Sequence, residues 1–339
     1  MSGGTDSSVA AILLLEQGYE VIGITFRFWE ENEVNQHLLD AQSLAKKLGI
    51  QHIIYDAREI FNKTIIQYFV DEYLDGRTPF PCVKCNNELK WKLILDEADR
   101  LGCEKVAMGH YVRIVNENDH FFVAEGVDPD KDQSFFLWGL TQKQLSRIVF
   151  PLGNLHKTQV RKLAAEKGYF YVAEKKDSLG ACFCKDDYRP FLKSQLAEPE
   201  KHIFPGNFID ENAQILGTHK GYPLYTIGQR RGLVHLNRKV FVQEIRPITN
   251  EVVLAPLQNM YKTEFKIRKV NVVDKELFTD NFDVFCRIRY RKQNTLCKLV
   301  FLENDMAKVI LAEPLESIAP GQTAVFYRDG KILGGGFID

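Results

Sequence analysis

The sequence predicts an α/β first half built on a parallel sheet flanked by helices, followed by two small β-rich regions. Three observations carry that expectation. Up to about residue 198, apolar helical stretches alternate with short β-branched or aromatic runs, and glycines mark the joints. From Gly206 onward the helical period fades, and short β-rich runs follow one another between turn residues. The length of 339 residues suits two or three domains at about 150 residues each.

Segment 9–17 is an apolar helix closed by Gly18, and 19–29, rich in aromatic and β-branched residues, reads as a buried strand. Segment 36–48 has amphipathic helical spacing and stops at Gly49, and a short strand follows at 52–55. Helices are expected at 58–74, ending at Gly76, and at 88–101, ending at Gly102, with a short strand at 105–108. Helical patterns continue at 142–148, 158–167 and 188–196. Beyond them, 240–245, 251–254, 265–273, 285–290, 307–311 and 324–327 read as strands of small sheets or barrels. Linkers near 198–205 and 256–264 divide the chain into 1–198, 206–256 and 264–339. No internal repeat or low-complexity segment is visible.

Composition narrows the function classes. Hydrophobic residues make up 45% and charged residues 26%, so a packed core is well supplied and wholesale disorder is excluded. Lys plus Arg (44) nearly balances Asp plus Glu (45), which disfavours a basic coat on nucleic acid but leaves room for a local basic face. Apolar runs such as 9–15 are too short to span a bilayer, so no membrane partner is expected. The opening MSGGTDSS has no charged and apolar leader, so a cytoplasmic location is expected. Seven cysteines in a chain of this size do not make a disulfide scaffold; in a reducing cytosol, clustered thiols point to metal or redox chemistry.

The string Ser2-Gly3-Gly4-Thr5-Asp6-Ser7-Ser8 opens directly into the first helix. Paired glycines let backbone N–H groups approach an anion, and a helix N-terminus adds positive partial charge. The hydroxyls can donate further hydrogen bonds, and Asp6 can cap the helix or hold a hydrated Mg²⁺. There is no GK[ST], so γ-phosphate transfer does not follow. The string resembles the pyrophosphatase loop of enzymes that cleave ATP between the α and β phosphates. That resemblance implies a strand ahead of the loop, a place for which a sequence starting at Met1 supplies no residues.

Two loops carry paired cysteines. Cys82 and Cys85 follow Pro79-Phe80-Pro81, with Cys85 expected just ahead of the helix near Glu88, where a helix N-terminus, Lys84 and Lys90 would lower its pKa. Cys182 and Cys184 lie in Asp177-Ser178-Leu179-Gly180-Ala181-Cys182-Phe183-Cys184. The four thiols admit a Cys₄ zinc site, an iron–sulfur cluster held by three of them, or a persulfide relay in which one thiol resolves the other. The C-x-C spacing is a poor match to a zinc knuckle. Cys103, Cys286 and Cys297 sit in apolar patterns and read as core.

An adenylating loop joined to two loop-borne thiols describes one reaction: a carbonyl oxygen is activated by AMP and displaced by sulfur. SGGTDSS, TPFPCVKCNNELKWK, AMGHY, KDQSFFL, KKDSLGACFC, GLVHL, RIRYR and PGQTAVFY together resemble the bacterial tRNA-specific 2-thiouridylase family, in family order and across essentially the whole chain. The resemblance implies an adenine nucleotide alpha-hydrolase-like fold for the first domain, a central β-rich domain and a C-terminal β-barrel that binds tRNA. It places ATP on Met1, Ser2, Gly3, Gly4, Thr5, Asp6 and Ser7, with Phe26 and Gly109 also lining the nucleotide. It makes Cys85 the nucleophile and Cys182 the persulfide carrier. It sets Phe80, Pro81 and Cys82 against the target uracil, Cys82 standing where many members have Asp. Cys184 stands where members commonly have an apolar residue. His110, Lys131, Asp132, Gln133, Arg289, Tyr290 and Gln322 match tRNA-contacting positions.

Read by itself, the alternation at 286–291 puts Arg287, Arg289 and Arg291 on one strand face, suited to phosphates. The expected activity is ATP- and Mg²⁺-dependent 2-thiolation of a tRNA wobble uridine. Its substrates would be the Lys, Glu and Gln tRNAs, and its sulfur would come from a persulfide donor such as a cysteine desulfurase or sulfur carrier. The alternatives are another adenylating enzyme with this loop, the same thiolation run through an iron–sulfur cluster, and a noncatalytic tRNA- or metal-binding protein.

Overall fold

The computed structural model describes residues 1–29, 36–169, 180–184, 186–279, 281–290 and 293–339. In chain order its first elements are α1 (Thr5–Glu16), β1 (Ile22–Arg27), α2 (Gln36–Leu48), β2 (Gln51–Asp56), α3 (Arg58–Phe61) and α4 (Gln67–Leu74). There follow α5 (Pro81–Lys84), α6 (Trp91–Leu101), β3 (Val106–Ala107), β4 (Val112–Glu117), β5 (His120–Glu125), α7 (Gln142–Leu145), β6 (Ile148–Val149) and α8 (Lys157–Glu166). Contacts divide the chain into two units. One comprises Met1–Thr64, Cys82–Lys185 and Asp329–Ile332; the other comprises Ile65–Pro81, Asp186–Arg328 and Leu333–Asp339.

In the first unit, α1 starts ahead of its apolar run because extended Gly4 takes the N-cap and Thr5, Asp6, Ser7 and Ser8 fill the first turn. The helix is apolar on most sides, and Val9 and Ala10 share a core cluster with Tyr111, Leu152, and Val160 and Ala164 of α8. Strands β1 and β2 run parallel, with Phe26 opposite Tyr55, and β3 and β6 form a second parallel pair. The parallel pairing is as expected, but it is distributed over two two-stranded sheets. The helix expected at 142–148 ends at Leu145, since Ile148 and Val149 pair with Val106 and Ala107. A hairpin, β4–β5, turns at Asn118 and Asp119, both at positive φ (50° and 63°), the geometry of a tight two-residue loop. Lys331 pairs with Ala124 on its edge.

Two helical runs differ from the sequence reading. The 58–74 run is continuous but passes through a π turn at Asn62–Ile66. The second starts at Pro81, ahead of the expected Glu88, because Pro81 supplies the fixed φ of a first helical turn; it passes through a second π turn at Cys85–Lys90 before α6. π turns gather at functional sites, and this one carries a cysteine.

In the second unit, helix α9 (Tyr188–Ser194) precedes a four-stranded sheet of β7 (Gly206–Ile209), β8 (Ile215–His219), β9 (Phe241–Arg246) and β10 (Glu251–Ala255), in the order β8-β7-β10-β9. Phe208, Leu224, Val242, Val252 and Leu254 form its core. The strands β11 (Tyr261–Val272), β12 (Val284–Arg287), β13 (Thr295–Phe301), β14 (Ala307–Glu316), β15 (Thr323–Arg328) and β16 (Lys331–Ile338) follow in the order β11-β14-β13-β12-β15-β16. β16 returns to β11, Ile338 opposite Ile267, which closes a barrel. Helix α4 lies in this unit: Tyr73 stacks on Tyr188 at 4.2 Å, and the Tyr222 hydroxyl donates to the Leu74 carbonyl. Buried Glu72 accepts from Arg77 and Arg268, each at 2.9 Å. No helix among the described residues is long and apolar enough to cross a membrane.

Candidate active site

The glycine loop is shaped by its neighbours. Gly3 sits at φ +65°, and a Cβ there would lie 2.2 Å from the His37 carbonyl oxygen, so only glycine fits. The Ser8 hydroxyl donates to the Gly4 carbonyl at 2.7 Å, and Ser2 N–H donates to the Ser7 hydroxyl at 3.0 Å. Gly109 packs directly on the loop backbone: a Cβ would meet the carbonyl carbon of Asp6 at 2.7 Å and the nitrogen of Ser7 at 2.8 Å. Asp6 is not the helix cap. Its carboxylate accepts from the Tyr111 hydroxyl at 2.6 Å and from Lys157 Nζ at 2.7 and 2.9 Å. The Met1 carbonyl accepts from the Thr25 hydroxyl at 2.6 Å, and the Met1 amine donates to the Ile24 carbonyl. Burial, then Lys90, brings that amine down to about 5. Phe26, half-buried on β1, stacks on Phe28 at 5.5 Å.

The thiols lie in the same unit as the loop. Cys82 stands on α5 and Cys85 opens the π turn, so Cys85 is inside the helical run rather than ahead of it. This overturns the expected pKa lowering. Burial pushes Cys85 up to about 12, against the pull of Lys90, and charge on Cys182 and Cys82 would push it further. Burial also raises Cys82, again opposed by Lys90. Cys182 occupies a tight turn between Ala181 and Cys184, whose backbones pair, and buried Phe183 pins that turn against Trp29 and Phe61 at 6.3 and 6.0 Å. Crowding around its sulfur, then Cys82, raises Cys182 to about 11 even though the residue is exposed. None of the seven cysteines is in a disulfide. Asp177, Ser178 and Leu179 of this loop lie outside the described residues, as does Arg291. Among the described residues, no three His, Cys, Asp or Glu side chains converge where they could hold a metal ion.

His110, next to Gly109, is buried, with its ring against Trp91 and Phe150 at 5.8 and 6.0 Å. Burial, then Lys90, lowers it to about 3, so it is neutral. Lys131, Asp132 and Gln133 form a loop held from within. Asp132 accepts from Gly126 N–H at 3.0 Å and from the Ser134 hydroxyl at 2.8 Å, while Gln133 Oε1 accepts from Tyr111 N–H at 3.2 Å.

In the second unit, Arg289 and Gln322 line one cavity of about 420 Å³ with Thr78, Thr226 and Ser317. Gln322 Nε2 donates to the Thr78 and Pro79 carbonyls at 3.0 and 3.2 Å, fixing the segment that leads through Phe80 and Pro81 toward the cysteines. Phe80 N–H donates to the Tyr68 hydroxyl at 3.4 Å. Of the expected guanidinium face, Arg287 and Arg289 are described, and they do not share an exposed face. β12 ends at Arg287, which is buried 3.9 Å over the Tyr327 ring; Arg289 and Tyr290 lie beyond it in a bend and are exposed, with Arg289 donating to the Glu316 carbonyl at 3.1 Å. The strand ends before it can carry the alternation from Arg287 to Arg289.

Comparison with known proteins accounts for the whole chain. The profile of the tRNA methyl transferase HUP domain matches residues 1–186, that of the PRC-barrel domain 189–256, and that of the aminomethyltransferase beta-barrel domain 262–338. A tRNA-specific 2-thiouridylase MnmA 2 of Phocaeicola vulgatus is 52% identical over 339 residues, covering all of this chain and 96% of its own length. The chain belongs to the tRNA-specific 2-thiouridylase family. Further relatives are MnmA 1 of Bacteroides fragilis, 50% identical over 347 residues with coverage of 100% and 95%, and MnmA of Cytophaga hutchinsonii, 41% identical over 359 residues with coverage of 100% and 95%.

Three further residues bear on the candidate site, Lys157 and Tyr111 through hydrogen bonds and Lys90 through its charge. Lys90 is the cation that the pKa values of Met1, Cys82, Cys85, His110 and Cys182 all register. Lys157 and Tyr111 hold Asp6. Lys90 is marked by its nearness to Cys85 and Tyr111 by its place two positions past Gly109, but nothing local marks Lys157 as a neighbour of the loop.

Proposed function

We propose that the chain performs ATP-dependent 2-thiolation of the wobble uridine of tRNA, drawing sulfur from a cysteine persulfide. The observation that carries this reading is the placement of the glycine loop and of Cys82, Cys85 and Cys182 in one unit, with Gly109 packed on the loop and the charge of Lys90 felt by both the thiols and His110. Residues 1–7, Phe26 and Gly109 bind ATP. Uracil O2 attacks the α-phosphorus, and pyrophosphate leaves with the bonding pair. The terminal sulfur of the Cys182 persulfide adds to C2. The Cys85 thiolate then attacks Cys182 Sγ, the S–S bond breaks toward the transferred sulfur, and the thiocarbonyl forms as AMP departs with the C2–O bond pair. The product is 2-thiouridine and a Cys85–Cys182 disulfide, which an external dithiol reopens. In a variant of the same step, Cys85 attacks the persulfide and releases sulfide as the nucleophile. Burial keeps His110 neutral, so Lys90 is the cation that these thiols register.

Mg²⁺ fits this site only as a partner of the phosphates: Asp6 is the one loop carboxylate, and no protein cage converges on a metal position among the described residues. When bound, Mg²⁺ would offset charge on the departing pyrophosphate. Phe80, Pro81 and Cys82 face the target base, and His110, Lys131, Asp132, Gln133, Arg289, Tyr290 and Gln322 form the tRNA-binding set. The Lys, Glu and Gln tRNAs are the substrates, a cysteine desulfurase or sulfur carrier is the donor, and the cytoplasm is the location. The methyl-transfer wording of the family profile supplies no use for a thiol pair, whereas sulfur transfer uses both.

The test is nucleoside mass spectrometry of tRNA incubated with the protein, ATP and a persulfide donor. 2-Thiouridine is expected, and it is lost in Cys85→Ser and Cys182→Ser. Its formation only with bound iron would replace the relay by cluster chemistry, and ATP–pyrophosphate exchange without any thiolated product would point to a different adenylating enzyme.

A further inference from the structure

Lys157 is the first residue of α8 and is 7% exposed, with its side chain reaching the glycine loop. Lysines are seldom buried to this degree unless something fixes their charge. Its backbone N–H donates to Asp128 at 2.7 Å, which sets the helix start, and its ammonium passes the Tyr111 ring at 5.8 Å to reach both oxygens of Asp6. Helices α1 and α8 share one core cluster, so the ammonium is held in register with the loop by packing on both helices. A staple between two helices needs no charge at the mouth of an anion-binding loop; an aliphatic pair would serve there without the cost of desolvating an ammonium and a carboxylate.

We propose that Lys157 binds the pyrophosphate portion of ATP, and that Asp6 is the partner that holds its ammonium in place until the nucleotide arrives. This rests on the ATP reading above. Cleavage between the α and β phosphates leaves a highly charged pyrophosphate, and the loop N–H groups supply only partial charges against it. Lys157 supplies a full positive charge on the side where Asp6 stands. Tyr111 keeps one hydrogen bond to Asp6, so the carboxylate retains a partner when the ammonium turns toward the phosphates.

The experiment is calorimetric titration of the full chain with pyrophosphate, ATP and AMP, using wild type, Lys157→Met, and Lys157→Met combined with Asp6→Asn. The double variant removes both charges, so it leaves no carboxylate unpaired and guards against a misfolded single variant; thermal melts are recorded for all three. Lys157→Met is expected to lose about 10- to 150-fold in pyrophosphate and ATP affinity, the range of one charge-assisted contact, with AMP affinity within about twofold. The double variant is expected not to recover pyrophosphate affinity. Unchanged pyrophosphate affinity, or equal loss for AMP and pyrophosphate, overturns the assignment and leaves Lys157 as a staple. Failure of wild type to bind ATP overturns the ATP reading itself, and this inference with it.

Discussion

Lys90→Met offers the most direct test of how the sulfur site is organised. In the resting protein Cys85 is held at about 12 by burial, so at pH 8 about one molecule in ten thousand carries the thiolate, against about a quarter for an ordinary cysteine. Alkylation proceeds through the thiolate, so Cys85 should react about a thousandfold more slowly than a free thiol. Lys90 is the cation that opposes this burial at Cys85. A screened interaction of this kind is worth about 1–2 kcal/mol, so removing it should cut the thiolate fraction by roughly another tenfold. The assay is iodoacetamide labelling across pH 7–11, read peptide by peptide. Labelling of Cys85 at the rate of a free thiol at pH 8, or a rate indifferent to Lys90, would refute the reasoning. The sign for stability follows. A raised folded pKa means that the native state keeps its proton where the unfolded chain has lost it. The Cys85 contribution is therefore complete below about 8.5 and is lost as pH climbs toward 12.

Three further outcomes are expected. Gly109→Ala puts a methyl 2.7 Å from the Asp6 backbone, and overpacking of this order costs about 1–3 kcal/mol; ATP affinity should fall roughly 10- to 100-fold in a binding titration. Gln322→Leu leaves the Thr78 and Pro79 carbonyls without their side-chain donor, so proteolysis around residues 78–81 should quicken and thiolation should slow several-fold, while ATP affinity holds. Glu72→Gln removes the anion between Arg77 and Arg268, at a cost of about 2 kcal/mol, below the usual range for a buried pair because both guanidiniums are partly exposed. Burial opposes ionisation of Glu72, but Arg77 and Arg268 outweigh it and hold its pKa low. The melting-temperature gap between wild type and variant should therefore be widest near neutral pH and shrink as pH falls below about 4.3.

The long elements were legible because their signals are local. Helix α2 occupies the 36–48 run read from its amphipathic spacing and its terminal Gly49. What escaped was short or non-local. Strand β6 has two residues and exists only because β3 lies beside it, so no period could announce it. The β4–β5 hairpin did carry a sign, an Asn-Asp pair able to adopt positive φ, but the sequence reading assigns no element between 108 and 142. Pro81 belongs to a loop in the sequence reading; as a first helical residue it moves Cys85 into the helical run, and burial there reverses the sign of its pKa shift.

The site was half legible for the same physical reason. Loop glycines and cysteines announce themselves, because few other tasks call for those residue types at those spacings. The charges that decide what the thiols and the loop can do are lysines. The sequence already sets Lys90 near Cys85, whereas Lys157 acquires its meaning only from burial, at 7% exposure beside the Asp6 carboxylate. Lys157 sits beside the loop carboxylate, while the charge of Lys90 is felt by the three thiols and also by the Met1 amine and His110. Substitution of each should therefore weigh differently on the two half-reactions. Loss of Lys157 should slow pyrophosphate exchange whatever the sulfur donor. Loss of Lys90 should slow the transfer of sulfur more than it slows exchange.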